Sequence, residues 1–487
     1  MEDRDEVING FHRALIFQGG GSLGAYEAGA YKAIYELLSR EDKELGRPDD
    51  YPLFHIVAGT SIGAMNAAVL VSYVKENKSW HGSAERLIEF WEYLSTESFI
   101  DKMPSFSQWW DHWHNINDNI ATGESARRYF NTRQFILEGV PNVFKPWKTV
   151  TDKKFFDLFN TWYLYSNEPL RKSIERFAKF PIATSFENNE PRLLLVSVDV
   201  QEASTVVFDS YVKEHDNRKS EYGRYGPEFA RGDKEYGGYE HVIRYDDGIP
   251  VDFVLASGCV PVNYDYTKLI VEDHSKGPGT KDNNDENNNS ISSANKKVRY
   301  FWDGGILANT PLRETILEHR KYWHFVRKCE VPPLRIGIIN LHPIQQDQLA
   351  TDYDGILDRK NDLFYHDKTS FDERVAELVS DYIDLARNLI KLAEDNGVKK
   401  DLVDKLLQQQ AHSKQSSTGK PNAYRDLLAG RVHVDLIYRL ERKNDIHTVA
   451  NKTFDFSSRT IRQLIKEGYE EDKEQLIKIL QDLKRRQ

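Results

Sequence analysis

The chain has 487 residues, 39% of them hydrophobic and 12% aromatic, which supports a substantial core and excludes global disorder. Lys and Arg number 66 against 76 Asp and Glu, and the net charge of -10 speaks against a protein that grips nucleic acid through a basic face. The two cysteines, Cys259 and Cys329, each stand alone in an apolar neighbourhood, so neither a disulfide framework nor a cysteine metal site can be built and a reducing compartment is expected.

The acidic start Met1-Glu2-Asp3-Arg4-Asp5 lacks the basic-then-apolar order of a signal peptide. No apolar run approaches the length of a membrane span. A cytoplasmic protein is expected, able to touch a membrane peripherally through a local patch.

Arg13-Ala14-Leu15-Ile16-Phe17-Gln18 reads as a short buried strand and leads directly into Gly19-Gly20-Gly21-Ser22-Leu23-Gly24. Ala25 to Leu38 follows with apolar residues at helical spacing. Strand, glycine loop and helix start leave free N–H groups at the positive end of a helix dipole, a place for an anion. Two anions fit. One is a pyrophosphate, since the loop satisfies Gly-x-Gly-x-x-Gly; the other is the oxyanion formed when a nucleophile attacks an ester carbonyl. A charged connector, Arg40 to Asp50, comes next.

His55-Ile56-Val57-Ala58 then ends in Gly59-Thr60-Ser61-Ile62-Gly63 and resumes with helix formers, Ala64 to Val71. A strand stops, the chain turns sharply on Ser61, and a helix begins. Glycines on both sides let neighbouring backbone approach, so the hydroxyl can be held out on a strained turn; the plainer alternative is a Ser/Gly helix cap. Successive strands of one parallel sheet place such corners along one carboxyl edge, so the glycine loop and Ser61 are expected to face each other.

Between Trp80 and Phe186, helical pieces such as Ala84–Trp91 alternate with irregular stretches carrying Trp109, Trp110, Trp113, Trp147 and Trp162. This is an inserted helical subdomain with an aromatic core, or a lid meeting acyl chains or a membrane. Arg192–Val200 and Ser204–Phe208 return to buried-strand character. Glu214–Glu240 is polar and rich in Tyr and Gly, and reads as a surface loop. Val251–Pro261 reads as a core helix ending at Gly258 and Pro261, and Ser275–Lys297 as a low-complexity loop.

Val298–Trp302 reads as a strand that delivers Asp303-Gly304-Gly305, which is either a functional corner or a common Asp-Gly turn. A further strand, Leu334–Leu341, ends at His342-Pro343. Val375, Leu378, Val379, Tyr382, Leu385, Ala386, Leu389 and Ala393 recur at helical spacing, and a second amphipathic helix is expected over Asp401–His412. After a polar break, Gln415–Asn422, come a strand at Val432–Leu440 and a charged helical tail from Ser457 to Arg486. These C-terminal elements are expected to pack on the core or on a second subunit, making a homo-oligomer one outcome.

Three corners thus supply what acyl transfer needs: N–H donors at Gly19, Gly20 and Gly21, a nucleophile at Ser61 and a base at Asp303. A carboxylate shielded from water gains basicity and can take the serine proton directly. In order, spacing and context, Gly19–Gly24, Gly59–Gly63 and Asp303-Gly304-Gly305 resemble the motifs of the patatin-like phospholipase family, and Ala256–Pro261 is similar to another block of that family. The resemblance covers residues 12–345, and the C-terminal remainder, with Phe456-Ser457-Ser458 and Gly468-Tyr469, is similar to a bacterial subgroup with a C-terminal extension.

It implies an α/β three-layer sandwich with a central, mostly parallel sheet, a helical insertion at 80–186, a loop at 275–297 and a mostly helical extension at 346–487. It further implies a Ser61–Asp303 dyad and an oxyanion hole at Gly19, Gly20 and Gly21, with Gly24, Gly59, Gly63, Gly304 and Gly305 supporting the motifs. The implied reaction is hydrolysis of lipid or acyl-ester substrates through an acyl-serine, with no metal or cofactor. One departure is Leu23, where many relatives carry Arg or Lys, which touches the phospholipid head group rather than the ester chemistry. Two rivals stand beside this reading. In one, His342 completes a Ser61-Asp303-His342 triad of α/β-hydrolase type. In the other, a dinucleotide-binding oxidoreductase uses the glycine loop with Glu41 or Asp42 as the ribose-binding acid.

Overall fold

The computed structural model describes residues 10–48, 51–103, 105–106, 108–109, 123–147, 162–213, 217–226, 238–274, 295–346, 349–411, 423–428, 432–443 and 449–486. Its sheet has 10 strands: β1 (His12–Phe17), β2 (Ile56–Thr60), β3 (Arg192–Asp199), β4 (Ser204–Asp209), β5 (Lys219–Gly226), β6 (Gly238–Arg244), β7 (Thr267–Asp273), β8 (Asn295–Asp303), β9 (Leu334–Asn340) and β10 (Val434–Glu441). The α-helices of seven or more described residues are α1 (Gly24–Glu44), α2 (Ile62–Asn77), α3 (Ser83–Leu94), α4 (Gly123–Glu138), α5 (Glu168–Phe177), α6 (Val251–Ser257), α7 (Leu312–Arg320), α8 (Tyr353–Tyr365), α9 (Ser370–Asp395), α10 (Lys400–Leu407) and α11 (Ser458–Arg486).

Strands β10, β9, β1, β2 and β3 lie side by side and parallel. An antiparallel arm, β8, β7, β6 and β5, continues from β3. Helices cover both faces of the parallel part, so β1, β2 and β3 are buried along their whole length and read as unbroken apolar runs. Alternation along β1 sends Leu15 and Phe17 into a core shared with α1, α2 and α3, and Ala14 and Ile16 into a second core with Leu312 of α7, Tyr322 and Trp323. That is the three-layer α/β sandwich expected from the sequence.

One pairing positions the site. The first residues of β3 pair with β2 (Thr60 opposite Val196), and its last residues pair with β8 (Asp303 opposite Ser197). β4 occupies the other edge of β3 along both stretches. β2 and β8 therefore share one lane of the sheet and meet end to end, and Ser61 and Asp303 sit at the junction.

Several elements differ from the sequence expectation. Described parts of Glu214–Glu240 belong to β5 and β6, because Tyr222 is buried and donates its hydroxyl to Asp199 Oδ2 at 2.7 Å, while Arg224 pairs across the strands with Glu240. The first helix runs into the charged connector as far as Glu44, and the helix expected at Asp401–His412 is the shorter α10. Residues 295–297, assigned to the loop, belong to β8. Among the described residues, α3, α4 and α5 contribute Phe90, Trp91, Phe135 and Leu170 to the main core. β10 joins the main sheet across the boundary expected at 345, and α11 lies on α1, with Tyr26 bonded to Asp472 and Tyr469 to Glu36. Trp110, Trp113, most of the 275–297 loop and the Gln415–Asn422 break lie outside the described residues.

Candidate active site

After Thr60 the chain turns through Ser61 at φ 57° and ψ -126°, and α2 starts at Ile62. A non-glycine residue held there stores strain of about 1–3 kcal/mol, so its surroundings must enforce it. They do so by close packing: a Cβ on Gly59 would lie 2.2 Å from Gly63 O, and one on Gly63 would lie 2.5 Å from Phe17 O. The Ser61 N–H donates to Ser257 Oγ at 3.0 Å, and Ser257 Oγ in turn donates to Val196 O at 2.5 Å.

Asp303 is the last residue of β8, anchored by its N–H on Cys259 O at 2.8 Å. Its Oδ1 accepts from the Gly305 N–H at 2.7 Å, and its Oδ2 accepts from Ser61 Oγ at 2.5 Å. Burial pushes the carboxyl up to about 7, against the opposing pull of the Ser61 and Gly305 hydrogen bonds. Burial thus holds the group near the proton affinity a general base needs at neutral pH.

The glycine loop closes the third side. The Gly19 N–H donates to Asn309 O at 3.3 Å, so of the three predicted amides Gly19's is already engaged. Among the described residues, the N–H groups of Gly20, Gly21 and Ile62 meet no acceptor, and all three residues line the pocket that holds Ser61 and Asp303. Gly24 opens α1, where a Cβ would meet Trp91 and Ile62, and a Cβ on Gly304 would lie 2.3 Å from Val196 O. The pocket holds about 270 Å³ and is walled by apolar side chains from separate parts of the chain, among them Met65, Phe144, Leu170, Ile306 and Phe454.

The triad expectation fails on geometry. His342 Nε2 faces Gly19 O at 3.2 Å and Nδ1 faces Asp362 Oδ1 at 3.0 Å, whereas the partners of Asp303 are Ser61 and Gly305. The dinucleotide expectation fails too. Asp42 lies in the last turns of α1 rather than at a strand end, and both its oxygens are bonded by Arg13 at 2.7 Å. Glu202, Glu240 and His241 are the one grouping of possible metal ligands among the described residues, and none of them lines this pocket. Arg299 and Arg224 already occupy the two carboxylates.

Sequence reasoning missed Ser257, Asn309 and the segment Asn451–Phe456. Ser257 had a trace, lying in the Ala256–Pro261 block that bridges the Ser61 and Asp303 corners. Lys452 and Thr453 had none, because only the fold brings them beside a loop some 430 residues earlier.

The site is thus a serine on a strand–elbow–helix turn beside a buried carboxylate, on a sheet covered on both faces. A family model for patatin-like phospholipases matches residues 15–316, and the chain belongs to that family. No curated protein matches it. Among solved structures, VipD from Legionella pneumophila is similar at 12% identity and a TM-score of 0.30, over 95% of this chain and 66% of VipD. The chain thus spans just under two thirds of that protein's length. No helix among the described residues is long and apolar enough to cross a membrane.

Proposed function

We propose that the protein hydrolyses acyl esters of lipids with Ser61 as nucleophile, Asp303 as sole base, and the Gly20 and Gly21 amides as oxyanion donors. The observation that carries this is the 2.5 Å bond from Ser61 Oγ to the buried Asp303 carboxylate. Asp303 Oδ2 takes the hydroxyl proton as Oγ bonds to the ester carbonyl carbon, and the carbonyl oxygen takes on negative charge. The free amides stabilise that charge; one such donor contributes about 2.7–4 kcal/mol to catalysis. The tetrahedral intermediate collapses, the C–O bond to the alcohol breaks, and Asp303 returns the proton to the leaving oxygen. Water, deprotonated by the same carboxylate, then releases the acid from the acyl-serine and restores Ser61. The scheme calls for no metal or cofactor.

A chromogenic acyl ester and a fluorophosphonate probe test this. Ser61→Ala is expected to abolish turnover and labelling, and full turnover in folded Ser61→Ala would refute it. The pocket wall favours a fatty acyl chain; Leu23 gives the loop no cation, and the Lys452 ammonium in the pocket lining is held by Asp358 and Asp362, so a neutral acyl ester is the favoured substrate over a phospholipid. Exposed Ile306 at the pocket and exposed Val262 beside the lining Pro261 would meet the lipid surface, with the enzyme acting peripherally from the cytoplasm.

A second copy of the chain is the proposed partner of α9. Phe371, Val375, Leu378, Tyr382, Leu385, Leu389 and Leu392 recur at alternating four- and three-residue steps, from 41% exposed at Val375 to 73% at Phe371. Ser380 and Ile383, on another face of α9, are buried against the body. The exposed stripe has the spacing of a coiled-coil seam. It amounts to roughly 700 Å², close to the ~800 Å² per partner of a standard interface.

A further inference from the structure

We infer that His342 and Lys452 are positioning residues that hold the glycine loop in donor geometry from outside the stretch matched by the family model. This rests on the reading of Gly20 and Gly21 as oxyanion donors.

The loop is held at two points. At its start, Gly19 O accepts from Asn309 Nδ2 at 3.1 Å and faces His342 Nε2 at 3.2 Å. In a trans peptide the carbonyl and the next N–H point in opposite directions, so fixing Gly19 O aims the Gly20 N–H away from His342. At its far end, Ser22 Oγ donates to Lys452 O at 2.9 Å. Gly21 there adopts φ 57°, and a Cβ on it would lie 2.6 Å from Thr453 O. The loop cannot slide toward the 452–453 backbone.

Lys452 connects the two points. Its Nζ reaches Asp362 at 2.8 Å and Asp358 at 3.1 Å, and Asp362 is the carboxylate that orients His342. The three charged side chains are only 4–11% exposed. A buried ion pair of this kind is weak grounds for stability, because apolar side chains of similar volume often serve as well. Its placement has a better explanation. One residue, Lys452, touches the end of the loop through its backbone and, through Asp362 and His342, its beginning. A loop whose amides must point at a developing charge needs such fixing, since a displacement of about 1 Å can cost 10²-fold in rate.

The test compares His342→Leu, His342→Gln and Lys452→Met in the full chain. The readouts are kcat and KM on a p-nitrophenyl acyl ester, the rate of fluorophosphonate labelling, and thermal unfolding. His342→Leu and Lys452→Met are expected to lower kcat and the labelling rate about 10- to 100-fold at nearly unchanged KM. His342→Gln places an amide N–H near the Nε2 position, as His342 does when that nitrogen carries a proton, and is expected to recover most of the loss. Should Lys452→Met fail to fold, the two His342 variants carry the test. Wild-type kcat in folded His342→Leu overturns the inference, as does a His342→Gln protein as slow as His342→Leu, which marks an imidazole acting as base. Full activity in Ser61→Ala refutes the dyad itself; a dead Ser61→Ala beside a fully active His342→Leu refutes only the clamp.

Discussion

Replacing Asp303 by Asn removes the proposed base and a costly buried charge together. Burial raises this carboxyl from its ordinary 3.8 to about 7. Between those values the folded protein keeps a proton that the unfolded chain has released, so stability falls as pH rises through the interval. At about 1.4 kcal/mol per pH unit the loss is about 2 kcal/mol at pH 5 and about 4 kcal/mol above pH 7. Asn carries no charge and escapes this loss. Its amide can no longer accept from both the Ser61 hydroxyl and the Gly305 N–H, which costs about 1–3 kcal/mol at every pH. Relative to wild type, Asp303→Asn should therefore gain about 2–3 kcal/mol between pH 5 and pH 8 while losing acyl-ester turnover. Urea unfolding of both proteins at pH 5, 6.5 and 8, beside a chromogenic ester assay, measures both effects. A stability difference that stays flat over this range refutes the argument that burial holds the proton, and retained turnover refutes the role of base.

The remaining predictions concern the same site and one surface. For the wild type, kcat/KM should rise with pH and level off above about 7, because the free enzyme needs Asp303 ionised; a profile set by a group titrating below 5 contradicts this. Ser257→Ala leaves the Ser61 N–H without its acceptor and should cost about 1–3 kcal/mol of stability, with kcat falling more than KM changes. Gly63→Ala forces a Cβ to within 2.5 Å of Phe17 O and should cost about 1–3 kcal/mol by thermal unfolding, with poor recovery of activity. A Leu385→Glu, Leu389→Glu double variant should shift the species seen by light scattering from dimer to monomer without loss of turnover; a wild-type monomer at assay and storage concentrations ends the dimer proposal.

Much of this was legible in the residues because local rules and global fold agree there. The runs at β1, β2 and β3 are apolar without alternation since both sheet faces are covered, and the glycines flanking Ser61 mark a place where backbones nearly touch. What was illegible depended on long-range pairing. Tyr222 and Tyr225 look like loop residues until Asp199 and the β6 strand are beside them. His342 stands just past a strand end, where a triad base belongs, and only its approach to Gly19 O and Asp362 shows that it faces the loop instead. The C-terminal part read as a strand and helices that pack on the core or on a second subunit, yet Lys452, Thr453, Phe454 and Phe456 line the pocket. No periodicity in a segment so far along the chain can reveal that it returns to the first strand's loop.

The central claim is that Ser61 is activated by Asp303 alone. Peptide mapping of the adduct formed by a fluorophosphonate probe tests it most directly, with wild type, Asp303→Asn and His342→Gln labelled side by side. The account predicts a single adduct on Ser61 in wild type, none in Asp303→Asn, and substantial labelling in His342→Gln. An adduct on another residue, or undiminished labelling of Ser61 in Asp303→Asn, contradicts it.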